Sequence, residues 1–104
     1  MNWNSSENRK LVRAILSLEN RGEAEHFLRD LLTEGEIREL AKRLEAAGLL
    51  LQNVSYTEIE KRTGFSSTTI ARVSKWVHGR QGGYKSVINK IHHDNPIQPR
   101  RDLS

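Results

Sequence analysis

Apolar residues recur along this chain at intervals of three and four, the spacing of helices that each turn one face toward a core. Leu11, Val12, Ile15, Leu16 and Leu18 make the first such stripe, which ends near Gly22. Ahead of it, Asn4-Ser5-Ser6-Glu7 has the form of a capping box, with Asn4 as cap and Glu7 three residues on. Residues 23–32 predict a short second helix with Phe27, Leu28, Leu31 and Leu32 inward. Thr33-Glu34-Gly35-Glu36 is a second box and opens the longest helix. There Ile37, Leu40, Ala41, Leu44, Ala47, Gly48 and Leu51 line one face over about four turns, and the small residues at 46–48 would let another helix approach closely.

The segment from Ser55 to Val77 is the most specific signal in the chain. Ser55-Tyr56-Thr57-Glu58 is a third capping box, for a helix reaching about Thr63, and Gly64 suits a left-handed turn position. Ser66 or Ser67 then caps a further helix, which buries Ile70, Val73 and either Trp76 or Val77. Its polar side offers Ser66, Ser67, Thr68, Thr69, Arg72 and Lys75. Two short helices about a glycine form a helix-turn-helix, in which the second helix enters the major groove of DNA. Gly79 to Gly83 reads as a loop, and residues 84–92 as a last helix with Tyr84, Val87, Ile88 and Ile91 on one side. The resulting fold class is all-α, with about six helices in one domain over residues 1–93 and the helix-turn-helix at 55–77. Residues 94–104, with Pro96, Pro99, Arg100 and Arg101 and little to bury, are expected to be a disordered tail.

Charge adds weight to the hairpin. Residues 1–52 carry eight basic and nine acidic side chains, whereas residues 53–104 carry nine and four. From Lys61 to His93 there are seven Lys or Arg and no Asp or Glu, a field suited to a polyanion. The chain has no cysteine, which excludes disulfides, a cysteine nucleophile and thiolate metal sites. No apolar run approaches the ~18–20 residues of a membrane span, and MNWNSSENRK lacks the apolar run of a signal peptide. A cytoplasmic protein without membrane attachment is expected.

Leu31-Leu32-Thr33, Glu36, Leu40, Arg43, Leu50-Leu51, Ile59-Glu60, Gly64, Thr69-Ile70 and Arg72 together resemble the Trp repressor superfamily, and within it the Trp-repressor-like YerC/YecD group. The likeness spans roughly Leu11 to Ile91. Glu60 strengthens it, because most helix-turn-helix proteins place a small residue there. The resemblance implies an intertwined homodimer that presents two recognition helices to successive major grooves, and hence a near-palindromic operator. It also implies an effector pocket, to which Thr33, Arg43 and Arg72 correspond. Val73 and Trp76, however, stand where the repressors have a glycine and a serine. Their bulk would occupy the space of a bound indole, so L-tryptophan is not expected to bind.

These residues support a sequence-specific DNA-binding transcriptional regulator, a repressor by family habit. Ser67 and Thr68, at the helix start, are the candidates for base-edge contact. Thr57, Lys61, Thr69, Arg72 and Lys75 are candidates for phosphate, with Ser66 beside them. The rival reading is an accessory module that binds DNA or protein without choosing an operator. Arg43 also has a plain alternative, as the ion-pair partner of Glu39 or Glu36. His26, His78 and the adjacent His92-His93 lack metal-ligand spacing, and Gly79–Gly83 lacks the strand and Gly-Lys-Ser/Thr of a phosphate loop. No metal, cofactor or catalytic constellation is indicated, and the chain is not expected to be an enzyme.

Overall fold

The computed structural model describes residues 1–93, so the tail expected at 94–104 lies outside the described residues. Six helices and no strand are present among them: α1 (Ser6–Leu16), α2 (Arg21–Leu31), α3 (Glu34–Leu51), α4 (Tyr56–Thr63), α5 (Ser67–Val77) and α6 (Gly83–His93). The chain divides into two compact units, Met1–Arg38 and a second beginning at Glu39.

In the first unit, side chains close each helix end. Ser5, not Asn4, caps α1, its hydroxyl accepting from the Asn8 N–H at 3.2 Å. The Asn4 N–H instead donates to Asn2 Oδ1 at 3.0 Å, and Asn8 Nδ2 donates to the Asn2 carbonyl at 2.7 Å. Those bonds fold the leading residues back over the helix start and leave the cap to the next residue. At the other end the Ser17 hydroxyl donates to the Ala14 carbonyl at 2.7 Å, so α1 stops before Leu18. Asn20 caps α2 by accepting from the Glu23 N–H at 2.9 Å. Gly22 therefore sits in the first turn of α2 rather than ending α1. Thr33 and Glu36 form the reciprocal box before α3, at 3.1 and 2.9 Å.

Neither α1 nor α2 contains a buried residue. Leu16 is 78% exposed and Leu31 51%, and Leu28 is also exposed, so of the four residues expected inward on the second helix only Phe27 and Leu32 are half-buried. The apolar stripes read from the sequence exist, but nothing in this unit covers them.

The second unit holds the core. Ala46, Ala47, Leu49 and Leu50 of α3 pack with Ile59 of α4, with Ile70, Val73 and Val77 of α5, and with Ile88 of α6. The buried part of α3 is thus its C-terminal end, where two alanines admit a close neighbour; Leu40 and Leu44, expected on the buried face, remain exposed. Val77 is fully buried and Trp76 half-exposed, which resolves the alternative left open for α5. Between α3 and α4 the chain turns at Asn53, whose φ of 62° is one that asparagine tolerates better than most residues. No described helix is long and apolar enough to cross a membrane.

Candidate nucleic-acid interface

The hairpin from Ser55 to Val77 is built by short-range hydrogen bonds and held by a few large apolar side chains. The Ser55 hydroxyl accepts from the Glu58 N–H at 3.2 Å and starts α4. Thr63, nearly buried, donates to the Ile59 carbonyl at 2.8 Å and accepts from the Phe65 N–H at 3.2 Å, bracing the turn. Gly64 adopts φ +77° and its N–H reaches the Glu60 carbonyl at 2.8 Å, the left-handed helix end that glycine serves without a Cβ clash. Ser66 is the cap of α5, accepting from the Thr69 N–H at 3.2 Å. Ile59, Ile70, Val73 and Val77, all at or below 2% exposure, then fix the rotation of α5 about its axis.

That rotation decides what α5 shows to solvent. At 100° per residue, Thr68 and Lys75 lie opposite the buried line through Ile70, Val73 and Val77, flanked by Ala71 and Arg72. Ser67, Thr68, Ala71, Arg72 and Lys75 are all exposed, and so are Thr57 and Lys61 on α4. The Ser66 and Thr69 hydroxyls lie 3.2 Å apart and are occupied with the cap. Of the basic residues here, Arg62 is paired with Glu58 at 3.0 Å, whereas Lys61, Arg72 and Lys75 form no ion pair among the described residues. The first turn of α5 has no acidic residue, so no carboxylate there offsets the positive end of the helix dipole. An exposed helix face with unpaired cations and the positive end of a dipole is equipped to meet phosphates. Ala71 was absent from the candidates read from sequence. Its spacing from Ser67 and Thr68, four and three residues, would have placed it on their face.

Beside α5 lies a cavity of about 160 Å³ lined by Glu39, Arg43, Thr69, Arg72, Val73 and Trp76. Four of the five residues assigned to an effector pocket thus come together there. Arg43 stands 3.9 Å from Glu39, a loose ion pair in its own helix. Trp76 is 52% exposed and lines the cavity, so its indole is not enclosed in it. The fifth residue, Thr33, belongs to the first unit, where its hydroxyl caps α3. Trp76 also lines a larger, mostly apolar groove of about 780 Å³, with Leu44, Tyr84 and Val87, beside the Gly79–Gly83 segment that the sequence marks as a connector loop. Among the described residues no three His, Asp or Glu side chains gather as a metal site.

Comparison with known proteins agrees with the fold. The sequence model of the Trp repressor protein family matches residues 6–92. The uncharacterized protein YerC of Bacillus subtilis (strain 168) is 37% identical over 82 residues, covering 79% of each chain. The crystal structure of a TrpR-like protein from Eubacterium eligens ATCC 27750 superposes with a TM-score of 0.80 at 34% identity, covering 86% of this chain and 93% of that one.

Proposed function

The chain belongs to the Trp repressor family, and we propose that it is a sequence-specific DNA-binding regulator of transcription. In this reading it acts in the cytoplasm as a homodimer and represses by occupying a near-palindromic site on double-stranded DNA. The observation that carries the proposal is the exposed face of α5. Ile70, Val73 and Val77 lock its back into the core, while Ser67 and Thr68 face outward with Arg72, Lys75 and the neighbouring Lys61, which form no ion pair among the described residues. Ser67 and Thr68 take the base edges; Thr57, Lys61, Arg72 and Lys75 take the phosphates, and Ser66 and Thr69 serve the cap. Dimerisation is supported by the apolar stripes of α1 and α2, helices that contain no buried residue, and by Val87 and Ile91 of α6, each 49% exposed.

The site works without L-tryptophan. The cavity at Arg43 and Arg72 has about the volume that accepts benzene in an engineered core, and falls below the ~300 Å³ at which small-molecule sites begin. Val73 is almost fully buried in its wall and cannot yield space without disturbing the core. Calorimetric titration with L-tryptophan is expected to give no binding heat, and micromolar affinity would refute the point.

One observation favours a second reading, a DNA-binding module that does not choose its site. The start of α5 has no Arg, Lys, Asn or Gln ahead of Arg72, and those residue types make the bidentate base contacts. Selection of bound duplexes from a random pool at near-physiological salt separates the two readings. Enrichment of a palindrome with half-sites roughly 34–36 Å apart supports the dimeric regulator. Salt-sensitive binding with no enriched sequence would establish the module instead.

A further inference from the structure

The absence of bidentate base readers from the start of α5, ahead of Arg72, raises the question of what its exposed face can recognise. The major groove offers hydrogen-bond donors and acceptors and one apolar group, the C5-methyl of thymine. Guanine is read best by Arg or Lys, adenine by Asn or Gln, and cytosine by Asp or Glu. None of these types occurs from Phe65 to Ala71. Nor are all the hydroxyls in this segment available, since Ser66 and Thr69 face each other at 3.2 Å in the helix cap. What the outward surface presents, before Arg72 and Lys75 one turn on, is the Ser67 hydroxyl, the Thr68 hydroxyl and methyl, and the exposed Ala71 methyl.

Position and chemistry coincide. Thr68 stands opposite the buried Ile70–Val73–Val77 line and Ala71 lies one turn further along the same outward face, the face that a recognition helix would turn toward the groove. An exposed alanine there has no donor or acceptor, only a methyl group. Resting on the DNA-binding reading above, we infer that this protein selects its site through thymine methyl groups. Thr68 and Ala71 pack against C5-methyls in each half-site, which is therefore defined by A·T pairs of fixed strand orientation. Orientation matters because the methyl belongs to one strand, so A·T and T·A differ in the groove. Removing one buried methyl group from such a contact changes Kd by about fourfold. Two contacts in each half of a two-fold complex multiply to the order of a hundredfold. Lys61, Arg72 and Lys75 hold the backbone and set the register at which the methyls meet.

Replacing thymine by deoxyuridine tests this directly, since uracil keeps every hydrogen-bonding group and lacks only the methyl. The purified full chain is selected in parallel against two random duplex pools, one containing thymine and one deoxyuridine. The inference expects a palindrome from the thymine pool whose thymine positions lose definition in the uracil pool. In direct titration, uracil at a critical position weakens binding about fourfold. Thr68→Ser deletes only the side-chain methyl of an exposed residue. It is expected to weaken the thymine site by a similar factor and to cause no further loss on the site already lacking the matching methyl. The same motif at equal strength from both pools would overturn the inference and leave DNA binding intact, with the bases read by hydroxyls or by DNA shape. Failure to bind the thymine pool at all would overturn the DNA-binding reading and this inference with it.

Discussion

The two units of this chain are made of the same material, short amphipathic helices with well-defined caps, yet they use it differently. From Glu39 onward, α3, α4, α5 and α6 share a core in which Ala46, Ala47, Ile59, Ile70 and Val77 are entirely removed from solvent. In Met1–Arg38, α1 and α2 have equally regular apolar stripes and bury no residue. Helix caps therefore determine where these elements begin and end, and say nothing about whether a face is covered. A stripe that recurs at helical spacing and stays in water is an unfinished core. In the dimer proposed above, it is the surface that would meet a second copy.

The largest effects should separate the two units. Ile70→Ala removes a fully buried side chain from the hairpin, and a loss of about 2–5 kcal/mol of stability is expected in chemical denaturation, with DNA binding lost as α5 loosens. The double substitution Ile15→Asp with Leu16→Asp changes exposed residues. It is expected to leave the second unit helical and to halve the mass seen by light scattering. A cooperative loss of all helix from this variant, with no change of mass before unfolding, would break the contrast.

Smaller effects sharpen it within the hairpin. Gly64→Ala places a Cβ at φ +77°, and a cost of about 1–2 kcal/mol is expected in the midpoint of unfolding, although the space around the glycine is open. Lys75→Ala should weaken selected and random duplexes alike and reduce the slope of log Kd against log salt by about one. Thr68→Ala should weaken the selected duplex more than the random one; the reverse pattern would exchange the roles assigned to these two residues. The smallest effect belongs to the first unit. Glu25 accepts from Arg21 Nε at 2.6 Å and raises the arginine pKa, but the guanidinium is fully exposed, so Arg21→Ala should leave the thermal midpoint unchanged.

What could be read from the sequence follows the range of the interaction concerned. Ser55, Gly64 and the Thr33–Glu36 box were legible because each acts within three or four residues of itself. Competition between neighbours spoiled the first cap: Asn4 and Ser5 are both suitable, and the bonds of Asn2 with Asn4 and Asn8 decide between them. Gly22 looked like a stop because glycine is costly inside a helix, but it occupies a first turn that Asn20 already caps. Which apolar residues are buried was harder, since periodicity gives a face and not its partner. Leu40 and Leu44 share a face with Ala47, and only the alanine end is covered. At the candidate interface the hydroxyls and cations were readable as polar residues on one helix, whereas Ala71, an apolar residue, was legible only through its spacing from Ser67 and Thr68.

The central claim is that α5 chooses among DNA sequences, and competition titration tests it most directly. The purified protein is bound to its selected duplex at near-physiological salt and displaced with a scrambled duplex of the same length. The account predicts a preference of at least ~10³ for the selected site. Equal displacement by both duplexes would contradict it.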